Sequence, residues 1–166
     1  MALPVLYRVI YYNPEPPEAD TAHLSVRPAV LKDHRRSRVR YCDYPGVTPR
    51  TGAEVWGSLV TGLTKANMKR LAFYEGSEYT LKPIRVNVLT ERTLGPSGPK
   101  GEVTYEEEVW TEMDAMTYLY TGGDFRLDDR TWDFMEYMEE HMLAWSGLRL
   151  TSNAKQICKC PYHQTR

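Results

Sequence analysis

The carboxylate in Phe73-Tyr74-Glu75-Gly76-Ser77-Glu78-Tyr79 is the group in this chain best suited by context to acid/base chemistry. The pattern places Glu75 at the C-terminal end of a helix, just before a glycine stop and the start of a strand. A carboxylate there meets the negative end of the helix dipole. Desolvation by Phe73 and Tyr79 would push its pKa further up, which suits a general base working near neutral pH. The rival reading is a solvated glutamate ahead of a capping glycine, and residue chemistry alone favours it.

Other constellations carry less. Cys158-Lys159-Cys160-Pro161-Tyr162-His163 offers three soft ligands, but a structural zinc wants four and no fourth stands at a standard spacing. This stretch reads as a tail with free thiols, and no metal site is expected. The basic run Lys32, Arg35, Arg36, Arg38 and Arg40 has the donors to hold phosphates but lacks the interleaved aromatics of a single-strand stacking platform. It is taken as a solvated hairpin edge, with no nucleic acid as partner. Gly122-Gly123-Asp124-Phe125 lacks the second carboxylate that a metal-holding turn requires and reads as a strand-to-helix loop. His23, His34 and His141 have no obvious nucleophile and carboxylate beside them, so a triad hydrolase finds no support.

These groups need elements to position them. Residues 4–12 predict a short helix, with Pro4 at a first helical position and Leu3, Leu6 and Ile10 at near-helical spacing. Residues 24–41 suggest two strand segments around a polar bend at 32–36, and 46–52 a loop. Residues 54–61 suggest a strand. Thr64 is the expected N-cap of a helix that turns Asn67, Leu71 and Tyr74 or Glu75 to one side and ends at Gly76. In 79–89, Ile84, Val86 and Val88 alternate with Arg85 and Asn87 as in a strand. Residues 91–101 look like a flexible excursion, 104–110 and 116–120 like two further strand pieces. A last helix is expected from Thr131, with Trp132, Met135, Met138 or Glu139, Met142 and Trp145 on one face and Gly147 as its stop. The expected class is α+β, a small mixed or antiparallel β-barrel flanked by helices. One domain over residues 1–147 and a poorly ordered tail over 148–166 are expected.

Composition agrees with a single folded domain. The chain has 166 residues, 42% of them hydrophobic and 26% charged, with a net charge of −1. That balance disfavours a whole-surface nucleic-acid binder and a chain disordered throughout. No apolar run approaches the roughly 20 residues that span a bilayer, and no membrane partner is expected. The opening residues do not resemble a secretory signal, and three irregularly spaced cysteines do not suggest a disulfide framework, so a cytoplasmic location is expected.

An ordered set of segments resembles the gamma-glutamylcyclotransferase-like family of the plant and fungal avirulence-induced-gene type. It runs Arg27-Pro28-Ala29-Val30-Leu31, Arg35-Arg36-Ser37-Arg38-Val39, Tyr44-Pro45-Gly46, residues 55–63, residues 73–79, Tyr118-Leu119-Tyr120 and Trp132-Asp133-Phe134. The resemblance implies an α+β fold around a small barrel, with Glu75 at the family's Glu-Gly position as catalytic acid/base. It also implies a cofactor-free monomer acting on a small γ-glutamyl compound. The substrate's α-amino group would attack the γ-carbonyl, closing 5-oxoproline and releasing an amine or amino acid. Tyr79 is a candidate substrate contact. Family members begin with a strand leading into a Tyr-Gly-Ser/Thr-Leu loop whose amides hold the substrate. This sequence has no Tyr-Gly pair, so that strand and cradle are expected to be missing from it, with a start placed too late as the favoured explanation and low activity as the consequence. The alternative function is a non-catalytic ligand- or protein-binding module of the same fold that has lost the loop.

Overall fold

The computed structural model describes residues 1–94 and 105–141. The expectations for the Cys158 to His163 stretch, for Met142, Trp145 and Gly147, and for most of the 91–101 excursion lie outside these residues.

Helix α1 (Leu3–Tyr11) has Pro4 in its first turn, where the missing N–H costs nothing, and buries Val5, Leu6 and Ile10. Its exposed carbonyl end is satisfied from outside: Arg70 Nη1 donates to the Ile10 carbonyl at 2.6 Å, with its guanidinium over the Tyr12 ring. A four-residue helix α2 (Glu18–Thr21) follows. Helix α3 (Lys65–Glu75) opens on a capping box in which Thr64 and Asn67 satisfy each other's backbone N–H groups. Asn67 and Leu71 are buried and Tyr74 and Glu75 half-buried, the stripe expected from their spacing. Gly76 ends the helix at φ 71°, and a 3₁₀ turn, Gly76–Glu78, leads directly into the next strand.

One antiparallel sheet makes up most of the remaining described residues. Strands β1 (Ser25–Val39), β2 (Pro45–Thr61), β3 (Tyr79–Leu94) and β4 (Tyr105–Tyr120) lie in the order β2-β1-β3-β4, and the short β5 (Leu127–Thr131) pairs with the end of β1. Every ladder is antiparallel. The sheet curls until its two outer strands meet through side chains: Trp56 of β2 and Trp110 of β4 form an edge-to-face pair with centroids 5.8 Å apart. Ala29, Leu31, Val86 and Val88 form the core on the concave side. Ile84 and Val86 face this core as the alternation of β3 requires, while Arg85 stands in solvent.

Four local expectations change. The polar bend at 32–36 is a bulge within one continuous strand, where Asp33 takes φ 56° and its Oδ1 accepts the Gly52 N–H at 2.9 Å. The loop at 46–52 is the first half of β2. Its prolines are tolerated because β2 is an edge strand, and Gly46 is needed because a Cβ there would lie 2.8 Å from Tyr120 Cγ. The two strand pieces at 104–110 and 116–120 are one strand, β4. Finally, Thr131 closes β5 and does not open a helix: α4 (Phe134–Glu140) starts after Asp133, whose Oδ1 accepts the N–H groups of Met135 and Glu136. The Gly122 to Phe125 segment accordingly joins two strands through a 3₁₀ turn, Asp124–Arg126.

Candidate active site

The concave side of the curled sheet, the end of α3 and the start of α4 enclose a cavity of ≈ 350 Å³, within the size range of small-molecule sites. Ala29, Leu31 and Arg36 of β1, Val47 and Val55 of β2, and Ile84 and Val86 of β3 form its floor. Tyr118 of β4 and Trp132, Phe134 and Tyr137 at the α4 end form its walls, and Tyr74, Glu75 and Tyr79 close it from the α3 end.

Glu75 and Tyr79, both singled out in the sequence, line this one cavity. Glu75 forms no ion pair within 4 Å among the described residues. Burial raises its pKa from 4.5 to about 7, against the opposing pull of the Met1 amino group. That amino group is buried although the Met1 residue as a whole is 56% exposed, and burial, followed by the charge on Arg36, lowers its own pKa. Of the two side chains expected to desolvate Glu75, Tyr79 stands at the cavity with it and Phe73 does not. Phe73 is 91% exposed and lines no part of the cavity. Two positions round an α-helix turn a side chain to nearly the opposite face, so Phe73 points to water while Tyr74 and Tyr79 stand at the cavity with Glu75. Burial raises the pKa of Tyr79, and the hydroxyl is spent on the fold, donating to the Pro45 carbonyl at 2.9 Å. What Tyr79 offers the cavity is its ring.

Two cavity-lining groups escaped the sequence reading. Tyr118 has a buried hydroxyl without a hydrogen-bond partner; burial, followed by the nearby charge of Glu75, raises its pKa. Arg36 leaves the basic run to face the cavity. In the register of β1 with β2 it sits opposite Val47, just as Leu31 sits opposite Val55, and all four line the cavity. Asp33, in a positive-φ conformation where the register breaks against residues 50–53 of β2, interrupts the two-residue alternation, so Leu31 and Arg36, five positions apart, both line the cavity. Lys32 and Arg40 are exposed, and Arg38 belongs to a separate small hollow with Asp43 and His141. None of the histidines at 23, 34 and 141 lines the cavity. Among the described residues no group of three or more His, Cys, Asp or Glu is arranged to hold a metal ion.

A curled antiparallel sheet flanked by helices, with one desolvated carboxyl lining its hollow, defines a small α+β domain. The family model for gamma-glutamyl cyclotransferase, AIG2-like, matches residues 15–134, and the chain belongs to that family. Among solved structures, the chain is similar to the Arabidopsis thaliana protein At3g28950.1, with a TM-score of 0.50 at 21% identity over 87% of this chain and 71% of that one. It is also similar to At5g39720.1 of the same plant, with a TM-score of 0.47 at 19% identity over 76% of this chain and 75% of the other. No curated protein matches the chain. Among the described residues no helix is long and apolar enough to cross a membrane.

Proposed function

We infer that the chain is a γ-glutamyl cyclotransferase in which Glu75 carries the proton. The observation that supports this most directly is the Glu75 carboxyl in a largely apolar hollow, with a pKa raised to about 7 by burial. A group with that pKa is ionised often enough to accept a proton and acidic enough to return it.

The reaction asks for little else. The substrate folds so that its α-amino nitrogen approaches its own γ-carbonyl carbon, a tethered attack for which orientation supplies most of the rate. As the new C–N bond forms, Glu75 takes a proton from the attacking nitrogen and negative charge gathers on the carbonyl oxygen. The Tyr118 hydroxyl, buried and without a protein partner, is a donor for that oxygen. Glu75 then gives its proton to the leaving nitrogen, the old C–N bond breaks, and 5-oxoproline and a free amine or amino acid result. The carboxylate is restored, and atoms and electrons balance within substrate and products.

The test is release of 5-oxoproline from γ-glutamyl amines and γ-glutamyl amino acids. Turnover that falls about 10²- to 10⁴-fold in Glu75→Gln supports the assignment, because an amide cannot shuttle the proton. Because the base must be ionised in the free enzyme, kcat/KM should climb with pH and level off above about 7. Equal turnover in wild type and Glu75→Gln removes the mechanism. No release from any γ-glutamyl compound leaves the binding module as the reading.

A further inference from the structure

The cavity holds a cation that the proton shuttle does not use. Arg36 Nε is buried and has no hydrogen-bond partner, and no carboxylate stands within ion-pair distance of the guanidinium among the described residues. The acidic group whose charge acts on it is Asp133. That carboxylate is committed elsewhere, its Oδ1 accepting the Met135 and Glu136 N–H groups at the start of α4. The visible compensation is the Trp132 ring, 5.0 Å from the guanidinium carbon. The ring itself is fixed, because Trp132 donates through Nε1 to the Asp43 carbonyl at 3.1 Å and through its backbone N–H to the Arg36 carbonyl at 3.1 Å. A stacked arginine is thus held in position with donor capacity unspent, and an arginine stays charged at every relevant pH. Leaving such a group unmet is costly, and the group that matches its fork is a carboxylate.

We propose that Arg36 is the anchor for the α-carboxylate of the substrate, so that the site takes γ-glutamyl compounds whose α-carboxylate is free and rejects those in which it is capped as an amide. This rests on the γ-glutamyl reading of the cavity and adds the residue that recognises the invariant end of such a substrate. Glu75 and Arg36 then divide the glutamyl head between them, one facing the amine and the other the acid. An apolar part of the lining, Trp56, Met116 and Leu59 among it, is left to meet the leaving group.

The test is binding to the full chain of 5-oxoproline and of 2-pyrrolidinone, the same ring without its carboxylate, followed by tryptophan fluorescence, since Trp132 lies against Arg36. Wild type should prefer 5-oxoproline by about ten- to a hundredfold, the span of a charge-assisted hydrogen bond. Arg36→Met should lose that preference and Arg36→Lys should recover part of it. Kinetically, Arg36→Met should bring the kcat/KM ratio between a γ-glutamyl amine with a free α-carboxylate and its α-carboxamide analogue towards one. Should Arg36→Met unfold, the wild-type preference and the Arg36→Lys variant decide the matter. Equal affinity of wild type for both rings, binding of neither, or a preference that survives in Arg36→Met overturns the anchor. If the Arg36-dependent preference stands but no 5-oxoproline is ever released, the reaction fails and the anchor survives. If release depends on Glu75 yet ignores the α-carboxylate, the reverse holds.

Discussion

Glu75 and Glu78 are three residues apart on the same helix-to-strand junction and have opposite fates. Glu78 turns away from the cavity into a set of partners: Tyr44 donates to its Oε2 at 3.0 Å, and Arg126 binds its Oε1. Thr121 donates its N–H to the Glu78 carbonyl at 2.7 Å, tying the junction to the end of β4. Glu75 has the end of the helix behind it and tyrosine rings beside it, with no ion-pair partner among the described residues. A carboxylate whose lone pairs are filled is an anchor. One that burial alone has unsettled is the one suited to the proposed proton transfer, and the positive-φ turn at Gly76 is what separates the two.

This contrast breaks most sharply under substitution by the neutral isostere. Glu75→Gln should cost about 10²- to 10⁴-fold in turnover without loss of stability. The sign of the stability change follows from proton uptake. A folded pKa of about 7 against 4.5 in the unfolded chain means that, between these values, the unfolded chain releases a proton that the folded one keeps. Stability from this group is therefore full below pH 4.5 and is lost as pH rises through about 7. Above that, Glu75→Gln should be more stable than wild type by roughly 3 kcal/mol at most, and equal to it at pH 4. Denaturant unfolding of both proteins at a series of pH values checks this; a constant difference would show that the carboxyl is not desolvated. Glu78→Ala should do the opposite. It strands Arg126 and Tyr44 in a half-buried site, costing about 2 kcal/mol, while turnover per folded molecule changes little because Glu78 does not line the cavity. A large loss of kcat with unchanged stability in Glu78→Ala would erase the distinction.

The junction was legible in the sequence because its signals are local. Thr64 and Asn67 cap α3 within one turn, Gly76 stops it, and Glu75 follows Leu71 by four residues on the same face. Family resemblance then singled out Glu75 from a setting that residue chemistry read as ordinary. What stayed hidden depends on distant partners. The facing of Arg36 follows from the bulge at Asp33, and that bulge is held by the N–H of Gly52 on the neighbouring strand. Simple alternation across the bulge would have sent Arg35 inward instead. The first half of β2 was obscured because proline and glycine signal a loop unless the residue lies on a sheet edge, and edges exist only once strands are ordered. Of the two aromatics expected to desolvate Glu75, Phe73 was misplaced for a related reason: closeness in sequence on a helix is not closeness in space, and Phe73 faces water.

The smallest effect sharpens the comparison from the other side. Arg85 and Glu112 make a pair that looks as good as any by distance, Nη1 to Oε2 at 2.9 Å, with Asp114 Oδ1 a further 3.6 Å contact. Their side chains are 70% and 59% exposed, against 17% and 20% for Arg126 and Glu78. Water competes for each hydrogen bond of the outer pair and screens its charge, so ordering two long side chains consumes most of the gain. A double-mutant cycle on Arg85→Ala and Glu112→Ala should give a coupling below about 1 kcal/mol that fades with added salt. The same cycle on Arg126→Ala and Glu78→Ala should give a larger coupling that salt hardly moves, because that pair is shielded from solvent. Equal couplings for the two pairs would mean that proximity and not surroundings sets what these carboxylates do, and the separation of Glu75 from Glu78 would lose its physical basis.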